Sequence, residues 1–130
     1  MKVSFATYDS YSDVGGVSSW LQRLLPLLKV AGFELEVHLL GADGSPGVNS
    51  TYFREHGIQV RWTPLIMHLP DAVRSLVRLL EESQPDIYVP NCAVPAYYAG
   101  GYASRAGIAT VGVLHSDDPV YWGIDRKSVV

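Results

Sequence analysis

The chain has 130 residues, a formal net charge of −3 and one cysteine, Cys92. That length gives a single domain with room for a core. The charge, with no basic run, removes the electrostatic case for nucleic acid, and one thiol excludes an internal disulfide framework.

The first elements follow from hydrophobic period. Lys2-Val3-Ser4-Phe5-Ala6-Thr7 reads as a short buried strand, and a polar loop from Tyr8 to Asp13 leads into Gly15-Gly16. Leu21, Leu24, Leu25 and Leu28 then recur at helical spacing. Pro26 interrupts that helix, which leaves one packed helix or two short ones. Gly32 stops it, and Glu34 to Leu40 reads as the second strand. Strand, glycine loop, helix and strand make the first βαβ unit of a parallel sheet. The glycine turn falls at the carboxyl end of the first strand, where open α/β sheets place ligands. It serves either as a plain strand-to-helix turn or as a site where backbone N–H groups face an anion.

Gly41 to Gly47 is loop by composition. Asn49-Ser50-Thr51 fits the N-glycosylation pattern, which matters only in a secreted protein. Thr51 to His56 reads as a short helix closed by Gly57, and Ile58 to Trp62 as the third strand. Leu69-Pro70-Asp71 opens a helix with Val73, Leu76, Val77 and Leu80 on its buried stripe and charges elsewhere, read as a solvated face. Pro85 to Pro90 is the fourth strand, Pro95 to Ala106 a small-residue helix held by close packing, and Ile108 to Leu114 an apolar fifth strand covered on both faces. His115-Ser116-Asp117-Asp118 follows it.

Gly15-Gly16-Val17, the leucine-rich helix, Ala31-Gly32-Phe33-Glu34-Leu35-Glu36-Val37 and Pro85-Asp86-Ile87-Tyr88 together resemble the opening half of group 1 (GT4) glycosyltransferases. The resemblance covers nearly the whole chain. It implies a Rossmann-like three-layer α/β sandwich, a parallel sheet of order 3-2-1-4-5, and the N-terminal half of a GT-B fold. Residues 1–130 are then one acceptor-side domain, with the donor-binding domain and its paired glutamates absent. The implied activity is transfer of a sugar from a nucleotide-sugar to an acceptor hydroxyl with retained configuration, the isolated chain being inactive. The implied partners are that donor and acceptor, without metal or cofactor.

By the same resemblance His115 contacts the transferred sugar and Gly15 and Gly16 lie against the donor diphosphate; Asn91, then Asp117 and Asp118, are the candidates for acceptor hydroxyls, with Asp13 either binding an acceptor or capping the helix start. Against each stands a structural role: strand-end capping for His115 and loop capping for Asn91, Asp117, Asp118 and Asp13. His38, His56 and His68 are scattered without ligand spacing, and Cys92 has no base beside it in sequence. Trp20 is expected in the core and Trp122 over the cleft. A stand-alone ligand-binding or interaction module on the same fold is the alternative. No apolar run reaches the roughly 18 residues of a spanning helix, and the chain enters a strand at once, so a cytoplasmic location is expected, open to membrane-surface association. An unblunted fifth strand at the sheet edge predicts weak self-association of the chain.

Overall fold

Alternating apolar residues on Lys2–Tyr8 (β1) place this strand at the middle of the sheet, buried at every position but its two ends. The computed structural model describes residues 1–9, 16–41, 47–64, 68–91 and 93–113. After β1 come Gly16–Val30 (α1), Glu34–Gly41 (β2), Val48–Glu55 (α2), Gln59–Pro64 (β3), Leu69–Ser83 (α3), Ile87–Pro90 (β4), Val94–Arg105 (α4) and Ala109–Thr110 (β5). The five strands are all parallel, in the order β3-β2-β1-β4-β5. β1 pairs with β2 from Lys2↔Glu34 to Tyr8↔Leu40, and with β4 from Val3↔Ile87 to Ala6↔Pro90. This is the Rossmann-like α/β architecture that the sequence predicts.

The period of two in the strands sorts the core into two layers. Val3, Phe5, Leu35, Val37, Leu39 and Val89 meet Leu21 and Leu25 of α1 and Phe53 of α2 on one face. Ala6, Leu40 and Tyr88 meet Leu76 and Leu80 of α3 and a run of alanines, Ala93, Ala96, Ala99 and Ala103, on the other. Those alanines, with Gly100 and Gly101 also buried, let α4 approach the sheet closely, as its small side chains predict. α1 is one helix running through Pro26, with Leu21 and Leu25 buried on its sheet-facing stripe and Leu24 and Leu28 partly buried beside them.

Three helices end on the same device. At Gly32, Gly57 and Gly107 φ is +101°, +70° and +84°, a region that glycine enters without a Cβ penalty. In each, the glycine N–H reaches the carbonyl three residues back and the next N–H the carbonyl five back, as in Phe33 to Leu28 at 3.1 Å and Ile58 to Phe53 at 2.9 Å. α3 differs: it stops on Gln84, whose φ of 49° is left-handed without being glycine.

The fifth strand departs from expectation. It is expected from Ile108 to Leu114 and covered on both faces, yet the strand is Ala109–Thr110 and Val111 is 54% exposed. Its alignment along β4 nonetheless continues. Ala109, Val111 and Val113 donate in turn to the carbonyls of Asp86, Tyr88 and Pro90 at 3.2, 2.9 and 3.1 Å. The ladder's return bond to the Val111 carbonyl falls to the amide of Pro90, which has no hydrogen. The proline thus reduces a regular strand to a two-residue ladder and an isolated Asn91↔Val113 bridge.

Candidate functional site

The order of the strands decides where a ligand fits. From β1 the chain moves outward through β2 to β3, then crosses to the other side of β1 to form β4 and β5. Helices leaving β1 and β4 therefore cover opposite faces, and a crevice opens between the carboxyl ends of these two adjacent strands. Gly16 stands on one side of it as the first residue of α1. Asn91 stands on the other, fully buried, its backbone N–H donating to the Ala6 carbonyl at 2.9 Å. Two sequence-predicted residues, Gly16 and Asn91, thus flank the same switch point. Gly15, His115 and Asp117 lie outside the described residues, as do Asp13, Cys92, Asp118 and Trp122.

The strand that enters the crevice is held by a network the sequence did not single out. Asp9, just beyond β1, accepts the backbone N–H groups of Gly47 and Asn49 at 3.0 and 2.9 Å, so its carboxylate sits on the amino end of α2. Asn49 donates through Nδ2 to the Tyr8 carbonyl at 3.1 Å and accepts from Gln22 of α1 at 3.2 Å. β1, α1 and α2 are cross-linked here, one residue before the loop that carries the glycine turn. Asn49 is 1% exposed, so its amide is internal wiring rather than a modification site.

A second polar cluster lies deeper, under α3. Glu36 is fully buried and takes Ser4 Oγ at 3.3 Å, with Lys2 Nζ at 3.8 Å and His38 Nε2 at 3.4 Å from the same oxygen. Arg61 Nε lies against the other oxygen, and Arg61 Nη1 continues to Glu82 at 2.9 Å. Burial alone raises the Glu36 pKa, but the His38 hydrogen bond and the charges of His38, Lys2 and Arg61 outweigh it and bring it down to about 2. Glu36 thus stays ionised through the ordinary pH range. Its partners lie toward the amino half of the strands, away from the crevice, so the cluster reads as structural. Glu82 lies on the solvated face where it was expected, 51% exposed, and from there reaches Arg61 at the rim of the cluster. Trp20, expected in the core, is 37% exposed.

Tyr88 donates to the Ala96 carbonyl at 2.8 Å and pins α4 to the sheet. Burial, and then the nearby Tyr97, pushes its phenol far above the ordinary tyrosine range. Tyr97 in turn donates its hydroxyl to the Val113 carbonyl. Among the described residues no group of three or more His, Cys, Asp or Glu side chains comes together as a metal site, and no helix is long and apolar enough to cross a membrane.

Comparison with known proteins gives this geometry a context. The family model for Glycosyltransferase Family 4 matches residues 14–129. Among solved structures, HepE from Anabaena in complex with UDP is similar, with TM-score 0.65 and 20% identity over 98% of this chain and 35% of that one. So are the lipopolysaccharide outer core galactosyltransferase WaaB in its apo form (TM-score 0.64, 16% identity, 86% and 32% coverage) and MurG from Acinetobacter baumannii (0.65, 13%, 95% and 39%). At these identities the likeness is one of fold. The chain spans about a third of the length of these structures, 35%, 32% and 39%. A comparison with curated proteins returned no match.

Proposed function

This chain belongs to Glycosyltransferase Family 4, and from that premise we propose that it is the acceptor-side domain of a retaining glycosyltransferase. The observation that carries the reading is the placement of Gly16 at the start of α1 and of Asn91 just past β4, on either side of the β1–β4 switch point, at the sheet end where ligands bind. UDP, bound by HepE, exemplifies the donor class: a nucleotide-sugar whose diphosphate is the leaving group. In the reaction the acceptor hydroxyl oxygen bonds to the anomeric carbon as the carbon–diphosphate bond breaks, and the hydroxyl proton ends on the departing phosphate or on solvent.

Each residue then has a part. Gly15 and Gly16 leave room for the diphosphate beside backbone N–H donors at the start of α1. Asn91 and Asp117 hold acceptor hydroxyls. His115 donates to a hydroxyl of the transferred sugar, opposing charge as it develops. The hydroxyl acceptor and the cytoplasmic setting, open to membrane-surface association, belong to the same reading.

These 130 residues supply one wall of a cleft, and positioning a donor against an acceptor requires both walls. Incubated with a panel of nucleotide-sugars and acceptors, the chain alone is expected to form no product above the blank. In a protein that adds the donor-binding half, His115→Ala is expected to lower turnover about a hundredfold, the usual loss for one donor to developing charge, while Gly16→Val weakens donor binding. Wild-type turnover in His115→Ala would remove that residue from the site.

A further inference from the structure

We propose that the acceptor is an amphiphile whose aliphatic chain lies in the groove between α3 and α4. This names the chemical class of the acceptor and rests on the acceptor-side reading given above.

The groove has a volume of about 370 Å3 and is lined by Leu69, Pro70 and Val73 of α3 and by Tyr98 of α4. Its lining follows from how α3 starts. A helix start normally carries a polar capping side chain, but His68 makes no capping bond, and Leu69 and Pro70 open the first turn. The proline is tolerated there, since the N–H it lacks has no partner within the helix. Two apolar side chains thus stand at the tip of α3, with Leu69 43% exposed, and Tyr98, 41% exposed, completes the lining from α4. One turn further along, Val77 and Tyr102 hold the equivalent positions and pack partly buried against the core. The seam between the two helices is therefore open at its amino end.

That end lies on the crevice side of the sheet. Each helix starts where the strand before it ends, so α3 and α4 begin at the carboxyl ends of β3 and β4. α4 opens at Val94, just past Asn91, and Tyr98 lies one turn into it, about 6 Å along the axis. An acceptor hydroxyl held at Asn91 leaves a chain attached to the same molecule within reach of the groove.

Size and charge select the occupant. Four side chains fall far short of the ~800 Å2 that each partner of a stable protein interface buries, so they do not hold a second copy or another protein. A volume of about 370 Å3 suits a small ligand. Beside the groove, Arg74 and Asp71 pair at 2.7 Å, both exposed, so they offset each other and present no net charge to a headgroup. What remains is apolar surface with one tyrosine, which fits a hydrocarbon chain.

The test titrates the isotope-labelled 130-residue chain with methyl, hexyl, heptyl and octyl β-glucoside, each below its micelle concentration. The alkyl glucosides are expected to shift the amide signals of residues 69–74 and 97–99 saturably, with affinity rising about two- to fourfold per added methylene. Methyl glucoside is expected to shift none of them. Leu69→Gln and Tyr98→Ser, both at exposed positions, are each expected to weaken octyl glucoside by about tenfold, the loss of a few methylene contacts, with the signals of β1 and β2 unchanged. The chain-length series on the wild type decides the matter even if a variant fails to fold. Absence of saturable binding, affinity independent of chain length, or shifts centred on α1 would overturn the proposal. So would loss of self-association in Leu69→Gln by sedimentation, which would give the groove to a second copy. No donor and no transfer enter these measurements, so failure of the groove is distinguishable from failure of the acceptor-side reading, which the transfer assay in the longer protein tests.

Discussion

The hydroxyl of Tyr52 donates to the backbone carbonyl of Gln22 at 2.9 Å. In an uninterrupted helix that carbonyl would take the N–H four residues on, which is position 26, and Pro26 has none. A side chain from α2 therefore occupies the acceptor that the proline leaves open, and α1 continues as one helix.

The pair should behave as coupled. Tyr52→Phe is expected to destabilise the domain by about 1–2 kcal/mol, the range for stranding a partly buried acceptor. In the Pro26→Ala background, where a helical N–H is restored, the same change should cost less than half as much. A double-mutant cycle by urea unfolding measures the difference. Equal costs in both backgrounds would separate Tyr52 from the proline.

Glu36 sets the acid limit of the fold. His38, Lys2 and Arg61 hold its carboxyl down at about 2 in the fold, against 4.5 for a free glutamate. A depressed folded value contributes stability that is present above the unfolded pKa and is lost as pH falls through the folded one, here from about 4.5 to 2. The shift corresponds to an order of magnitude of 3 kcal/mol. Glu36→Gln is expected to lose most of that at neutral pH, because Arg61 and Lys2 then face a neutral partner. Urea midpoints measured from pH 7 to 2 should show a steep acid limb in the wild type and a shallower one in the variant. Parallel limbs would move the acid sensitivity elsewhere.

Gln84 is the exception among the helix stops. A non-glycine residue in the left-handed region costs about 1 kcal/mol, and the side-chain bond from Gln84 to the Glu81 carbonyl at 3.1 Å is exposed and recovers little of it. Gln84→Gly is expected to raise the thermal midpoint by a few degrees. A lower midpoint would show that the Glu81 bond outweighs the strain.

Among the described residues β5 is an edge of the sheet. Ala109, Val111 and Val113 turn their N–H groups inward to β4, so the backbone groups of Thr110 and Gly112 face outward. Weak concentration-dependent association of the isolated chain is the expected outcome, since no charge blunts this stretch. Sedimentation over a wide concentration range should detect it, and Val111→Lys should suppress it. A strict monomer at every concentration would contradict it.

Much of the architecture was legible because hydrophobic period is a strong local signal. Leu35, Val37 and Leu39 against Glu36, His38 and Leu40 gave a strand, and the glycine stops gave its limits. The same alternation held the information about Glu36: a carboxylate in step with Leu40 must face a layer, not water. It was passed over because charged residues in a strand entry usually find solvent, and its partners Lys2 and Arg61 are remote in sequence. Strand five was overread for a related reason. Its own residues favour a strand, but its length is decided by Pro90 on a neighbour. At the site, Gly16 and Asn91 were found from strand ends, whereas Asp9 acts through the amino end of a helix some forty residues away, which local pattern does not reveal.

Gly32, Gly57 and Gly107 all stop their helices at the end of the sheet opposite the crevice, where the next strand begins, and there Lys29 bridges from α1 to the His56 and Gly57 carbonyls at 3.0 and 2.8 Å. Each helix length is thereby metered from one side. Insertions or deletions on that side would shift a whole strand out of register, whereas changes in the loops at the opposite rim leave the metering untouched. The loops at the crevice rim can therefore change in sequence while the framework of strands and helices stays constant.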